Sequence, residues 1–170
     1  DAITDYLYQN CVNELNEKTS QDCWRSSSII WDSGIKQGIE GSCIITPVSD
    51  TIHHLLEKQL KSSLPEYDEL VFQYYIWQPQ SGISWHTDEQ PDRLFGASLY
   101  LNEEWYPNHG GWFIWEDEGG YHAILPKKKF LVINNNYQHH CVTPVTRDFR
   151  CTIQIWGKKN PAKISTIKIS

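Results

Sequence analysis

Two stretches of this chain carry side chains whose types and spacing could build a metal site. In SGISWHTDEQPDR, residues 81 to 93, His86 and Asp88 stand two apart directly after Trp85. Ile83 and Trp85 alternate as in an extended segment, where side chains at i and i+2 share a face. His86 and Asp88 then converge while Thr87 points away. Two ligands on one strand do not complete a site, so a third must come from elsewhere. The best source is YQHHCVTPVTRDFRCTIQIW, residues 137 to 156, where two strands flank a short turn near Arg147 and Asp148. Pairing Val145 with Phe149 across that turn puts His140 and Pro144 on one face with Arg150, Thr152, Gln154 and Trp156. His139 then points to the other face. It is the competitor for the third position, and His140 is preferred because it shares parity with Arg150 and stands before CVTPV. On this register the imidazole and the guanidinium lie about four residues, or ~13 Å, apart on one wall. Two imidazoles and one carboxylate on one side of a metal, with the opposite positions open, are the ligand set of non-haem Fe(II) sites. An arginine farther along the wall can take the distal carboxylate of a chelating co-substrate. The plainer reading makes Asp88 a turn residue before EQP and leaves His86 an isolated imidazole.

Elements must hold these residues in place, and the chain divides into two textures. In ITDYLYQNCVNELNEK, Ile3, Leu7, Cys11 and Leu15 fall along one helical face. SDTIHHLLEKQLKSS starts with Ser49 and Asp50 as cap candidates before Ile52, Leu55, Leu56 and Leu60. Two amphipathic helices are expected there, with WRSSSIIW and GSCIITPV as short strands or extended connections between them. After Pro65 come ELVFQYYIW, RLFGASLYLN, GGWFIWED, KKKFLVINN, HHCVTPV and FRCTIQIWG, short runs rich in β-branched and aromatic residues. Turn compositions such as QPQSG, YPNHGG, DEGG and TRD separate them. Closely spaced strands with no helix between them predict an antiparallel barrel or sandwich with the helices outside. Residues 1–65 are expected to support a β core at 66–157, all within one domain, with 158–170 as an edge strand or tail.

Composition narrows the setting. The formal net charge of −6 gives no general attraction for phosphate backbones or anionic membranes, so nucleic acid is not the expected partner. No apolar run approaches the ~18 residues of a membrane span, and the N-terminal residues lack the pattern of a secretory signal. Five cysteines without a CxxC pair favour free thiols over a disulfide framework or a zinc knuckle. A soluble, intracellular and cytoplasmic monomer is the expectation. The absence of methionine even at position 1 leaves an upstream segment open. Four other histidines, His53, His54, His109 and His122, read as surface residues. Cys141 and Cys151 read as small apolar residues facing away from the metal.

Five pieces in order resemble the Fe(II)- and 2-oxoglutarate-dependent dioxygenases of the prolyl 4-hydroxylase type: WHTD, SLYLN, HGGWFIW, LPKKKFLVIN and HHCVTPVTRDFRCTIQIW. The resemblance covers residues 70 to 157. The resemblance implies a double-stranded β-helix, a distorted jelly roll or cupin-like barrel with outer helices. It implies Fe(II) on His86, Asp88 and His140, Arg150 on the far carboxylate of 2-oxoglutarate, and Tyr100 hydrogen-bonded to the same group. It further implies O2 as oxidant, ascorbate as a candidate reductant, and hydroxylation of a prolyl residue in a peptide or protein with succinate and CO2 as co-products. Free amino acids, other side chains and alkylated bases are the alternative substrates, and a catalytically silent or zinc-filled β-barrel module is the alternative of another class. Arg93 stands where hypoxia-type members have a substrate-contacting arginine, against the plain reading of a solvated loop residue. Trp77 is the other candidate for substrate contact. Trp77, Trp85, Tyr100, Trp115 and Trp156 form an expected aromatic shell, with Trp115 and Trp156 assigned mostly to core packing. The sequence also departs from the pattern. Ile76 occupies the spacing of a family tyrosine, with Tyr74, Tyr75 and Trp77 beside it, and collagen-type members have Lys where this chain has Arg150.

Overall fold

The computed structural model describes residues 1–20, 39–40 and 43–160. WRSSSIIW, Cys23 and the tail beyond residue 160 lie outside the described residues. Among the described residues, two α-helices form where the apolar periodicity places them: α1 (Asp5–Ser20) and α2 (Asp50–Leu60). Ser49 caps α2, its hydroxyl accepting from the Ile52 amide at 3.3 Å. Ile3, Leu7, Cys11 and Leu15 are all buried, as are Ile52, Leu56 and Leu60. Among the described residues no helix is long and apolar enough to cross a membrane.

Among the described residues, ten strands make two five-stranded sheets. They are β1 (Ile39–Glu40), β2 (Cys43–Pro47), β3 (Glu69–Trp77), β4 (Gly82–His86), β5 (Arg93–Tyr100), β6 (Phe113–Asp117), β7 (Gly120–Ile124), β8 (Leu131–Asn135), β9 (His140–Val142) and β10 (Arg150–Lys158). One sheet runs β2-β3-β10-β5-β8 and the other β1-β4-β9-β6-β7, each with antiparallel neighbours. The period of two sorts the first sheet into two buried faces. Leu70, Phe72, Tyr74 and Ile76 of β3, Phe95, Ala97 and Leu99 of β5, and Ile153 and Ile155 of β10 pack against the helices. The alternate residues Tyr75 and Trp77 turn toward the second sheet and meet Ile83, Phe113 and Val142 there. Helices therefore cover one face of the first sheet, and the second sheet faces the other across an inner space. The sheets remain two open layers, which narrows the expected barrel or sandwich to a jelly-roll arrangement.

The expected β9–β10 hairpin does not form. β9 pairs with β4 and β6, while β10 lies between β3 and β5 in the opposite sheet. Pro144 has no amide hydrogen to continue a ladder. Fully buried Val145 bonds sideways to the β3–β4 connection instead, its amide donating to Ser81 O and its carbonyl accepting from Gln80 N. The 143–149 segment is thus a crossing between sheets. His140 and Arg150 belong to facing walls, so their convergence owes nothing to a shared strand register. β7 is absent from the expected runs because it is a largely exposed edge strand with no buried alternation to signal it.

Candidate active site

The space between the sheets holds a cavity of about 200 Å³. His86, Asp88 and His140 lie on one side of it, and Arg150, Gln154 and Trp156 of β10 on the other. A register slip between Ile83 and His86 sets His86 directly opposite His140, with ring centroids 4.3 Å apart. Asp88 follows just beyond the end of β4. Its Oδ1 is 3.6 Å from His86 Nε2, and its Oδ2 is 3.4 Å from His140 Nε2. One ligand atom from each residue falls within 4.8 Å of the others, the reach of a single metal ion. His139 is exposed and outside this group, whereas His140 is buried and within it.

Hydrogen bonding fixes the chemistry of the donor set. His86 Nδ1 lies 2.8 Å from Ser84 O, and His140 Nδ1 lies 2.8 Å from Gln138 O. A carbonyl only accepts, so each Nδ1 carries the proton and each Nε2 presents its lone pair toward Asp88. Burial pushes the His140 imidazole below its ordinary value, against the pull of Asp88, which favours the neutral form a metal requires. For Asp88, burial resists ionisation, but in the metal-free site the two imidazoles, when protonated, and the amide of Asn134 together outweigh it. Its carboxyl is held below the usual range. Two neutral imidazoles and one ionised carboxylate, open on the cavity side, fit a divalent non-haem iron.

Arg150 opens β10 and is 2% exposed. Its Nε donates to Gly111 O at 3.0 Å and its Nη2 to the Tyr100 hydroxyl at 3.4 Å. Gly111 has φ +66°, and a Cβ there would lie 2.8 Å from Arg150 Cδ, so glycine is required both by the turn and by the arginine. Among the described residues no carboxylate pairs with Arg150. A buried guanidinium in that state calls for an anionic ligand in the cavity it lines. Tyr100 is fully buried behind it, and burial raises its hydroxyl above the ordinary range.

Several expected residues take other places. Arg93 begins β5, and it is held rather than solvated. Its guanidinium lies 3.7 Å from the centre of the Trp156 ring, and Nη1 donates to Asp88 O at 3.1 Å and stands 3.8 Å from Asp88 Oδ1. Trp156 belongs to the cavity wall as well as to packing. Trp85 is 46% exposed and lies tilted against Tyr121, outside the cavity, so it leaves the expected shell. The strand's alternation turns it away from its neighbour His86. Trp77 lines the cavity together with Tyr75, whereas Tyr74 and Ile76 pack on the helix side. His109 is more enclosed than a surface residue, against the rings of Trp105 and Tyr106. Sequence reasoning passed over Asn134, Ser98 and Gly96 and assigned Gln154 only a face. The available signal was a polar or absent side chain at an inward parity of β5, β8 and β10.

Residues 70–158 match the family profile described as the 2OG-Fe(II) oxygenase superfamily. The chain belongs to that superfamily. No curated protein matches it in sequence. Among solved structures, it is similar to a Pseudomonas putida prolyl-4-hydroxylase at 19% identity and a TM-score of 0.68, covering 93% of this chain and 89% of that one. It is similar to a Trichoplax adhaerens prolyl hydroxylase solved with a hypoxia inducible factor peptide fragment, at 15% identity and TM-score 0.68, covering 98% and 84%. The viral collagen prolyl hydroxylase of Paramecium Bursaria Chlorella virus-1 matches at 15% identity and TM-score 0.63, covering 94% and 93%. At these identities the likeness concerns the fold, which is the double-stranded β-helix of 2OG-Fe(II) oxygenases. Membership in the superfamily implies Fe(II), 2-oxoglutarate and O2.

Proposed function

We propose that the chain is a dioxygenase that hydroxylates a prolyl residue of a peptide or protein. His86, Asp88 and His140 hold Fe(II), and Arg150, backed by Tyr100, takes the far carboxylate of 2-oxoglutarate. When bound, the iron with 2-oxoglutarate and O2 supplies the oxidising chemistry that puts one oxygen atom into a C–H bond, the other going into succinate as CO2 leaves. Each Nδ1–H donates to a backbone carbonyl, Ser84 O for His86 and Gln138 O for His140, which leaves each Nε2 to ligate the metal. Tyr75, Trp77 and Phe113 line the cavity and keep water away from the reacting atoms. The observation that carries this reading is the buried Arg150 opposite the His-Asp-His group, a cation and a metal site facing one cavity.

Cavity charge supports a peptidyl substrate. A free amino acid brings an ammonium and a carboxylate that both need partners. The charged side chains lining the cavity are Asp88, Arg93 and Arg150, apart from the histidines. Asp88 is committed to the metal and Arg150 to the co-substrate, and Arg93 is held by Asp88 and Trp156. Neutral Gln90, Ser98 and Gln154 remain, which suit the amides of a peptide chain. The Trichoplax relative's peptide complex supports the same class. The test is incubation with Fe(II), 2-oxoglutarate, O2 and a proline-containing peptide library. A mass gain of one oxygen on a prolyl residue, with matching succinate, is the expected result. Succinate coupled only to free amino acids would overturn the substrate, and tight zinc binding with no decarboxylation would overturn the enzyme.

A further inference from the structure

The run Asn134-Asn135-Asn136 closes β8 and enters the turn that leads to His140, and each asparagine has a separate bond. Asn134, 4% exposed, donates from Nδ2 to Asp88 Oδ2 at 3.0 Å. Asn135 Oδ1 accepts from the Tyr137 amide at 2.9 Å, shaping the turn before His140. Asn136 Nδ2 donates to the carbonyl of Arg93. Asp88 follows the end of β4, where its carbonyl accepts from Arg93 Nη1 at 3.1 Å, and Asn134 is the residue of the run that bonds its carboxylate. Gly96 completes the cradle. A Cβ there would lie 3.0 Å from Asp88 Oδ2, 2.9 Å from the Trp156 ring and 3.3 Å from Asn134 Oδ1, so the carboxylate occupies the space a side chain would fill. The amide sits on Oδ2, while Oδ1 faces His86 Nε2.

We propose that Asn134 is a positioning residue for the metal site: its amide sets the rotation of the Asp88 carboxylate toward the two imidazoles. This rests on the reading of His86, Asp88 and His140 as metal ligands. Outer partners of this kind alter metal affinity by roughly tenfold to a hundredfold when removed. Asn134 touches no reacting atom, so its removal acts through Asp88.

The experiment is titration of the metal-free protein with Mn(II) alone, followed by electron paramagnetic resonance of the free ion, beside thermal melting of the metal-free form. Asn134→Leu, close in shape but without a donor, is expected to weaken Mn(II) binding roughly tenfold or more with little change in metal-free Tm. Asn134→Ser, which keeps a shorter donor, falls between it and the parent. Gly96→Ala, which crowds the carboxylate from the other side, produces the same loss. Unchanged Mn(II) affinity in Asn134→Leu overturns the proposal, as does a loss that tracks loss of the metal-free fold in both Asn134 variants. Asp88→Ala separates the two levels. If the parent binds Mn(II) no better than Asp88→Ala, the metal-site reading fails. If the parent binds Mn(II) better than Asp88→Ala and Asn134→Leu binds as tightly as the parent, the positioning role alone fails.

Discussion

Arg150 shows how one residue type at one parity can carry a prediction. Its guanidinium is buried, oriented by Gly111 O and the Tyr100 hydroxyl, and aimed at the cavity that holds the His-Asp-His group. Arg150→Gln removes charge-assisted hydrogen bonds worth about 1.5–3 kcal/mol. The expected outcome is a roughly tenfold to hundredfold rise in KM for 2-oxoglutarate at unchanged Mn(II) affinity. Equal losses in both would mean that the arginine supports the metal site instead. The period of two made His86 and Asp88 readable as a pair, and it turned His139 away from His140. Arg93 was not readable in the same way. Its sequence neighbours Pro91 and Asp92 look like loop, and only the fold brings Trp156 under its guanidinium. Asn134 was hidden for a related reason, since an asparagine in a strand end reads as turn chemistry until a partner from β4's exit is beside it.

At the scale of elements, strands were more legible than their pairings. Runs such as ELVFQYYIW coincide with β3 because its Tyr74–Trp77 half is buried on both faces by aromatic and aliphatic side chains. Sheet assignment depends on contacts between distant segments, and a Thr-Pro-Val crossing reads like a hairpin until Val145 is seen bonded to Ser81. The GG turn before β6 packs directly on Arg150. Gly111→Ala places a side chain in the left-handed region, costing about 1–2 kcal/mol, and pushes on Arg150 Cδ. A drop in Tm of about 2–8 °C is expected, together with a higher KM for 2-oxoglutarate. A lower Tm with an unchanged KM would separate the turn from the arginine's placement.

Across the whole molecule, the helices support the face of the first sheet that the cavity does not use, and a salt-bridged lysine fastens the start of α1. Lys129 is 8% exposed, with Nζ 2.8 Å from both Asp1 Oδ2 and Asp5 Oδ1, and its carbonyl accepts from the Ala2 amide. The hydrogen bond from Lys129, followed by that lysine's charge, holds the Asp5 carboxyl below its ordinary 3.8. A depressed carboxylate stabilises the fold above its unfolded value and loses that contribution as pH falls through the lower folded value. Lys129→Met is therefore expected to lower Tm at neutral pH, with the gap from the parent closing below about pH 4. A gap that persists in acid would assign the effect to packing of the lysine stem. The central claim, that one cavity holds Fe(II) on His86, Asp88 and His140 and 2-oxoglutarate against Arg150, has a direct optical test that needs no prime substrate. Anaerobic addition of Fe(II) and 2-oxoglutarate to the parent protein is expected to produce a visible charge-transfer band from the chelated 2-oxo acid. The band should be absent in Asp88→Ala and require much more 2-oxoglutarate in Arg150→Gln. No band in the parent protein, or an equal band in Asp88→Ala, would contradict the account.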